Sequence, residues 1–203
     1  TLQEYDLRNG VDDSVTSIPL SEFFNIHTGA DGLQSLILEF DMSTTVPVLD
    51  TLGNPVVDSA SNLPLEWIVA DANRLVAQTS NGIEVLVIDF DGTVLRITQL
   101  RGIEHPDDTQ NNENLLINLP DVNITAWLTD QDGDSVSAVN SLNNVQVRIF
   151  DDGPELSVDA GALPVALAVE EFDLRTAQGG QAQSLVDLST VFLIEGGGDG
   201  QQS

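Results

Sequence analysis

Apolar and polar residues alternate in short stretches along most of this chain. Side chains of a β-strand point to opposite faces in turn, so a period of two predicts strands with one buried face. A sustained helical period of 3.6 residues is absent, and only residues 20–24 favour a short helical turn. The strands that the pattern predicts cover residues 33–40, 65–70, 74–79, 83–90, 93–100, 115–119, 122–129, 135–139 and 145–150.

Turn-forming residues separate these predicted strands. Asn81-Gly82 and Asp91-Gly92 each lie between two of them, and Asn-Gly and Asp-Gly pairs favour the tight turns of β-hairpins. Other gaps are rich in Asn, Asp, Gly and Pro. Short strands joined by such turns predict an all-β fold, an antiparallel Ig-like β-sandwich.

The opening of the chain occurs twice. Three sequence blocks recur in the same order: residues 4–8 at 171–175, residues 19–24 at 187–192, and residues 29–32 at 197–200. The offset is 167 residues for the first block and 168 for the other two. Similarity at a fixed offset indicates a tandem array, so the chain is interpreted as one complete repeat and the start of another. Arrays build length or present copies of a surface, which favours a structural or binding role over an enzyme.

A domain boundary is predicted near Pro154. The last strand pattern ends at Phe150, and acidic and turn residues follow it before the proline. Residues 1–153 are therefore predicted to form one β-sandwich repeat. Residues 154–203 are predicted to be the start of the next repeat, which can be ordered by pairing with the first.

The charge of the chain excludes several classes of partner. The net charge is −27, all six basic residues are arginine, and lysine and cysteine are absent. Such an acidic surface repels phosphate backbones and anionic lipid faces, so no nucleic acid is expected as a partner. No apolar stretch approaches the roughly 20 residues of a membrane-spanning helix, so no membrane insertion is expected. A surplus of carboxylates suits either strong screening by salt or neutralisation by bound divalent cations.

The sharpest local motif contains three aspartates at alternate positions, Asp130, Asp132 and Asp134, with Gly133 between the last two. A tight turn at the glycine can fold these carboxylates around one point, and Ca²⁺ is the hard cation that prefers such oxygen ligands. An EF-hand is rejected because Ser141 occupies the twelfth loop position and no helical pattern flanks the motif. A calcium-binding turn between two strands is the interpretation that remains.

Two further acidic segments are candidate metal ligands. Asp151 and Asp152 are adjacent at the predicted boundary, where two bare carboxylates would repel each other unless a calcium ion bridged them to the neighbouring unit. Asp107 and Glu113 belong to an acidic loop that also contains His105. A lone histidine beside carboxylates is more typical of a hydrogen-bonding surface residue than of a metal ligand.

No enzyme is expected. The sequence lacks a G-x-S-x-G elbow, and without lysine it has neither a Walker loop nor a Schiff-base residue. Carboxylate pairs such as Asp89 and Asp91 arise readily among 33 acidic residues and do not define a glycosidase. Trp67 and Trp127 fall within apolar strand patterns, so both are expected in the core, with a sugar-stacking surface as the alternative.

The order of these motifs resembles the long tandem repeats of type I-secreted RTX-family bacterial adhesins. The motifs are residues 171–174, 188–192 and 197–200 with their earlier copies, and then residues 105–107, 113–114, 129–134 and 151–154. The resemblance implies an extracellular protein of the bacterial cell surface that acts in attachment and biofilm formation. It also implies β-sandwich modules that bind Ca²⁺ and contact neighbouring repeats of the same chain. Residues 8–17 depart from the family pattern, being longer and more polar.

Two functions follow as hypotheses. In the first, the chain is an extender that calcium makes rigid and that holds an adhesive tip away from the cell. Because calcium outside the cell would bind only the folded form, it would stabilise that form after secretion. In the second, the chain is a binding module for carbohydrate or protein on a target surface. An exposed tryptophan beside an acidic loop would favour the second hypothesis.

Overall fold

The residues that the computed structural model describes are 1–7, 13–106 and 113–153, with the backbone of 155–158 and 192–195. One compact unit contains residues 1–153, and a second begins at Pro154. In the second unit, β14 (Glu155–Val158) pairs antiparallel with β15 (Phe192–Glu195). That residues 154–203 start the next repeat stays a prediction.

The regular secondary structure in the described part of the first unit consists almost entirely of strands. In chain order they are β1 (Leu2–Gln3), β2 (Ser14–Pro19), β3 (Leu33–Asp41), β4 (Val46–Pro47), β5 (Val57–Asp58), β6 (Leu63–Asp71), β7 (Arg74–Thr79), β8 (Glu84–Phe90), β9 (Val94–Gln99), β10 (Asn114–Asn118), β11 (Asn123–Asp130), β12 (Ser135–Ser141) and β13 (Gln146–Phe150). Single 3-10 turns cover Glu4–Leu7 and Leu20–Glu22, and the second of these confirms the predicted helical turn. The predicted all-β antiparallel sandwich is confirmed.

The largest sheet has the strand order β2-β9-β8-β7-β6-β4, with β5 also paired to β6. Strands β6 to β9 follow one another through hairpins, and every pair along this sheet is antiparallel. The predicted hairpin turns contain Gly82 and Gly92, whose φ angles are +82° and +101°. Only glycine adopts such angles without strain, which explains why glycine occupies the turns between β7 and β8 and between β8 and β9.

Two smaller sheets complete the described part of the first unit. One has the order β12-β11-β3, with both pairs antiparallel. The other has the order β1-β13-β10, and here β1 runs parallel to β13 while β10 runs antiparallel to it. The strand ends of these two sheets carry the acidic clusters described below.

One hydrophobic core joins the three sheets. It takes residues from every sheet, including Trp67 of the large sheet, Leu38 of β3 and Ile149 of β13, and each is at most 1% exposed. Full burial of an aliphatic or aromatic side chain contributes about 1.5–3 kcal/mol relative to exposure, so this shared core is what holds the sheets against each other.

The expectation that both tryptophans are buried is wrong for Trp127. Trp67 is 1% exposed, but Trp127 is 43% exposed. In β11 the buried positions are Ile124 and Ala126, so the period of two turns Trp127 to the outer face. Apolar character alone did not distinguish the two faces of this strand.

Candidate functional site

Hydrogen bonds between Asp130 and nearby backbone groups hold the turn between β11 and β12. The Asp134 N–H donates to Oδ1 of Asp130 at 2.9 Å, and the Asp134 carbonyl accepts from the Asp130 N–H at 3.0 Å. The Gly133 N–H donates to the Asp130 carbonyl at 3.2 Å, and the φ angle of this glycine is +95°. The turn therefore needs glycine at this position and fixes the Asp130 carboxylate at the strand end.

A third carboxylate reaches this turn from the residues before β3. Because β3 and β11 are antiparallel, the start of β3 lies beside the end of β11, with Leu33 opposite Asp130. The Gln131 side-chain amide donates to the Leu33 carbonyl at 2.9 Å. Carboxylate oxygens of Asp31, Asp130 and Asp132 lie within 4.8 Å of one another. These three residues are called the turn cluster.

The turn cluster crowds negative charge at the surface. A hydrogen bond between the carboxyl groups of Asp130 and Asp132 lowers the pKa of Asp130 and raises the pKa of Asp132, and the charge of Asp130 raises the latter further. Such crowded carboxylates are ligands that Ca²⁺ prefers. Ca²⁺ takes about six to eight oxygens, so carbonyl groups and water would have to complete its coordination.

Asp134 contributes to the turn through its backbone. Its N–H and its carbonyl both pair with Asp130, as described above, and the residue is exposed. Its carboxylate is not among the three that converge. Of the predicted ligands of this motif, the structure thus brings Asp130 and Asp132 together and adds Asp31.

A second cluster lies at one end of the sheet formed by β1, β13 and β10. The parallel register pairs Gln3 with Phe150, so the next residues, Glu4 and Asp151, emerge side by side. His105 approaches from the segment after β9. One ligand atom of each of Glu4, His105 and Asp151 lies within 4.8 Å of the other two. These three residues are called the buried cluster.

The buried cluster is set into the protein. Glu4 is 0% exposed, and its Oε1 accepts hydrogen bonds from Gln99 Nε2 at 2.7 Å and from the Ile103 N–H at 2.8 Å. Burial lowers the pKa of His105, but interaction with Glu4 and the charges of Asp151 and Glu113 outweigh it, so the pKa lies above its ordinary value. The cluster can therefore hold a cation, either a proton on the imidazole or a metal ion.

The remaining predicted ligands lie near this cluster or outside the described residues. The Asp151 N–H donates to the Glu113 carbonyl at 2.9 Å, which places Glu113 next to the cluster. Asp152 is half-buried and follows Asp151, but its carboxylate does not belong to the convergent set. Asp107 lies outside the described residues.

Comparison with known proteins gives one family. Residues 1–143 match the model of a domain of unknown function, DUF5801. The chain belongs to the DUF5801 family. No curated protein and no solved structure matches it. In the described part of this DUF5801 chain, none of the helical turns has the length or the apolar character that crossing a bilayer requires.

The DUF5801 domain also presents an aromatic residue on the outer face of the β12-β11-β3 sheet. Trp127 lies opposite Ile37 and diagonal to Val139, and these two are 53% and 65% exposed. The Trp127 Nε1–H donates to a carboxylate oxygen of Glu39 at 3.2 Å. These four residues, called the Trp127 face, lie on the same sheet as Asp130 of the turn cluster.

Sequence reasoning missed Asp31 and Glu4 as members of the clusters. Neither has a metal-binding motif around it, because each meets its partners only through strand pairing. A signal was nevertheless present: Asp31 belongs to the block 29–32 and Glu4 to the block 4–8, both of which recur in the chain. In this DUF5801 domain the recurring blocks supply residues to the acidic clusters.

Proposed function

We propose that this chain is a calcium-binding structural repeat, an extender, of a large secreted adhesin on the bacterial cell surface. The observation that carries the proposal is the convergence of Asp31, Asp130 and Asp132 within 4.8 Å. The tandem recurrence of its sequence blocks supports an array in which neighbouring repeats of the same chain are the partners. The proposal includes no enzyme activity.

Calcium in the turn cluster would act as a clamp between strands. Asp31 precedes β3, whereas Asp130 and Asp132 lie where β11 turns into β12. An ion shared by these residues would fasten the three strands of this sheet at one end. It would also offset the repulsion between the carboxylates, which in its absence opposes their close approach.

The stabilisation follows from linkage between binding and folding. An ion that binds only the folded chain at 100 times its Kd adds about 2.7 kcal/mol of stability. For a domain of this size, each kcal/mol raises the melting temperature by roughly 2–4 °C. Scarce calcium before secretion and abundant calcium outside the cell would therefore favour folding after export.

Thermal melts of the 203-residue chain with calcium and with a chelator test this proposal. We expect a higher midpoint in calcium for the parent chain and a strongly reduced shift for an Asp31→Asn, Asp130→Asn double variant. Asp41→Asn is the matched control, because Asp41 is an exposed aspartate at the opposite end of β3. Equal midpoints of the parent chain with and without calcium would reject the proposal.

The exposure of Trp127 favours a second candidate function, a binding module for carbohydrate or protein. An exposed indole offers an apolar surface on which a sugar ring can stack, and Glu39 beside it offers hydrogen-bond acceptors. Because Trp67 is buried, the fluorescence of Trp127 can report on binding at this face.

A fluorescence titration with oligosaccharides distinguishes the two functions. Binding at the Trp127 face would change the emission of the parent chain, and Trp127→Ala would abolish the binding measured by calorimetry. Val136→Ala is a control on β12, since Val136 is exposed but lies opposite Leu128 on the other face of the sheet. Binding that survives Trp127→Ala would exclude this face as the site.

A further inference from the structure

The imidazole of His105 is buried without the hydrogen bonds that a buried imidazole normally makes. Its side chain is 4% exposed, and neither Nδ1 nor Nε2 has a hydrogen-bond partner. Buried polar atoms in folded proteins almost always have a partner, because leaving one unsatisfied is costly. An unsatisfied, buried imidazole that faces two carboxylates therefore points to a ligand between them.

The distance between His105 and Glu4 fits two ligands of one ion. His105 Nε2 lies 3.7 Å from Oε1 of Glu4, which is too long for a hydrogen bond. Bonds of about 2.0–2.1 Å to a tetrahedral zinc ion place its ligand atoms roughly 3.4 Å apart. Asp151 adds a carboxylate oxygen within 4.8 Å of both residues. A small contraction around an ion would bring all three into coordination range.

The surrounding structure holds this set in place. Hydrogen bonds from Gln99 and from the Ile103 backbone orient the Glu4 carboxylate, as second-shell partners do in metal sites. The pairing of β1 with β13 fixes Glu4 beside Asp151, both of them in the same compact unit. Asp151 is half-buried, so the cluster is accessible to an ion from its side.

We propose that Glu4, His105 and Asp151 bind a divalent transition-metal ion of the zinc class. Imidazole nitrogen is a good ligand for zinc, whereas calcium binds almost only oxygen. Three protein ligands leave one tetrahedral position for water or a further donor. The proposal does not depend on calcium binding, because the turn cluster offers only oxygen ligands and lies on another sheet.

Calorimetric titration of the 203-residue chain with Zn²⁺, in excess calcium to saturate oxygen-only sites, tests the proposal. We expect one zinc ion per chain, and at least a tenfold loss of affinity in both His105→Asn and Asp151→Asn. His27→Asn is the matched control, because His27 is the chain's other histidine and is exposed. Absence of zinc binding, or binding that is unchanged in His105→Asn, would overturn the proposal.

A second measurement needs no substitution at the cluster. The two histidines of the parent chain should give two sets of imidazole nitrogen NMR signals, and the His27→Asn variant would assign each set to its residue. Zn²⁺ should shift the signals of His105 and leave those of His27 unchanged. Shifts of His27 alone, or of neither residue, would overturn the proposal and leave the contact between His105 and Glu4 as an ion pair without a metal. The NMR measurement reports on zinc at His105 whether or not calcium binds the turn cluster.

Discussion

At the scale of single residues, aspartates that look alike in the sequence have two different roles at the turn between β11 and β12. Some contribute a converging carboxylate, and one contributes only backbone hydrogen bonds. Asp130, Asp132 and Asp134 form one regular motif, yet only the first two have carboxylates that converge. Asp134 holds the turn through its backbone N–H and carbonyl, which every residue except proline possesses. The third converging carboxylate belongs to Asp31, almost 100 residues earlier in the chain.

This difference gives the first prediction. Asp31→Asn should weaken calcium binding by about tenfold or more, because it removes one negative ligand from the site. Asp134→Asn should weaken it less, because the backbone contacts of that residue persist. Calorimetric titration with Ca²⁺ measures both variants against the parent chain. If Asp134→Asn lost more affinity than Asp31→Asn, the assignment of ligands would be wrong.

An ion pair between the buried Asp58 and the partly exposed Arg101 shows a structural role of charge at the same scale. Asp58 is 0% exposed, and its Oδ1 accepts from Arg101 Nε at 2.9 Å. Its Oδ2 accepts from the Ser61 N–H at 2.9 Å. Burial by itself would raise the pKa of Asp58, but the hydrogen bonds from Arg101 and Ser61 outweigh it and the pKa lies below its usual 3.8.

The second prediction uses this pair. Arg101→Met should destabilise the fold by about 3 kcal/mol at neutral pH, since it leaves a buried carboxylate without its charged partner. Urea unfolding measures the change. Arg148→Met is the control, because Arg148 is an exposed arginine on β13. Comparable losses of unfolding free energy in the two variants would mean that the ion pair with Asp58 does not stabilise the fold.

The pH dependence of the same pair gives the third prediction. Because the pKa of Asp58 is lower in the folded chain than in the unfolded one, its ionisation contributes stability that is complete above 3.8. This contribution disappears as the pH falls through the lower, folded pKa. The stability difference between the parent chain and Asp58→Asn should therefore shrink below pH 3.8. A difference in unfolding free energy that stays constant into this acidic range would contradict the prediction.

At the scale of elements, β1 has a large structural consequence although it is one of the shortest strands. β1 contains only Leu2 and Gln3, but its parallel pairing with β13 buries Leu2 completely and places Glu4 beside Asp151. The fourth prediction is that Leu2→Ala costs about 2–5 kcal/mol of stability, as expected for truncation of a fully buried leucine.

Leu52 provides a matched control for that substitution. It is 83% exposed, so Leu52→Ala should change the free energy of unfolding by no more than about 0.5 kcal/mol. Urea unfolding of both variants measures the comparison. Similar losses at the two positions would mean that β1 is not a stabilising part of the first unit. A large loss only at Leu2 would show that β1 is integral to the fold of the first unit.

The sequence predicts individual strands well but not their pairing. The interval 74–79 coincides with β7, and the other eight predicted intervals overlap β3, β6 and β8 to β13 with small shifts at their ends. β2 was missed because its run is rich in serine and threonine, and β1, β4 and β5 are too short to show a period. Register, and with it the meeting of Asp31 with Asp130, depends on contacts distant in sequence, which a local pattern does not contain.

At the scale of the whole molecule, the charge of −27 allows two different effects of calcium. Any salt screens repulsion between surface carboxylates, with a screening length of about 10 Å at 0.1 M. A specific site adds a further stabilisation that depends on the identity of the ion. Both effects would raise the melting temperature. A higher melting temperature in the presence of calcium therefore does not by itself distinguish them.

The fifth prediction separates these effects by comparing salts at equal ionic strength. NaCl should raise the midpoint of the metal-free chain gradually and without saturation, because it acts by screening. CaCl₂ should add a larger rise that saturates once the turn cluster is filled. MgCl₂ should raise the midpoint less than CaCl₂, because Mg²⁺ demands a stricter octahedral geometry and gives up its water reluctantly.

The Asp31→Asn, Asp130→Asn variant provides the control. It should lose the additional rise in midpoint that calcium causes and keep the response to NaCl. If CaCl₂ and NaCl raise the midpoint equally at matched ionic strength, both salts act on the carboxylates by screening alone, and this sheet has no calcium clamp.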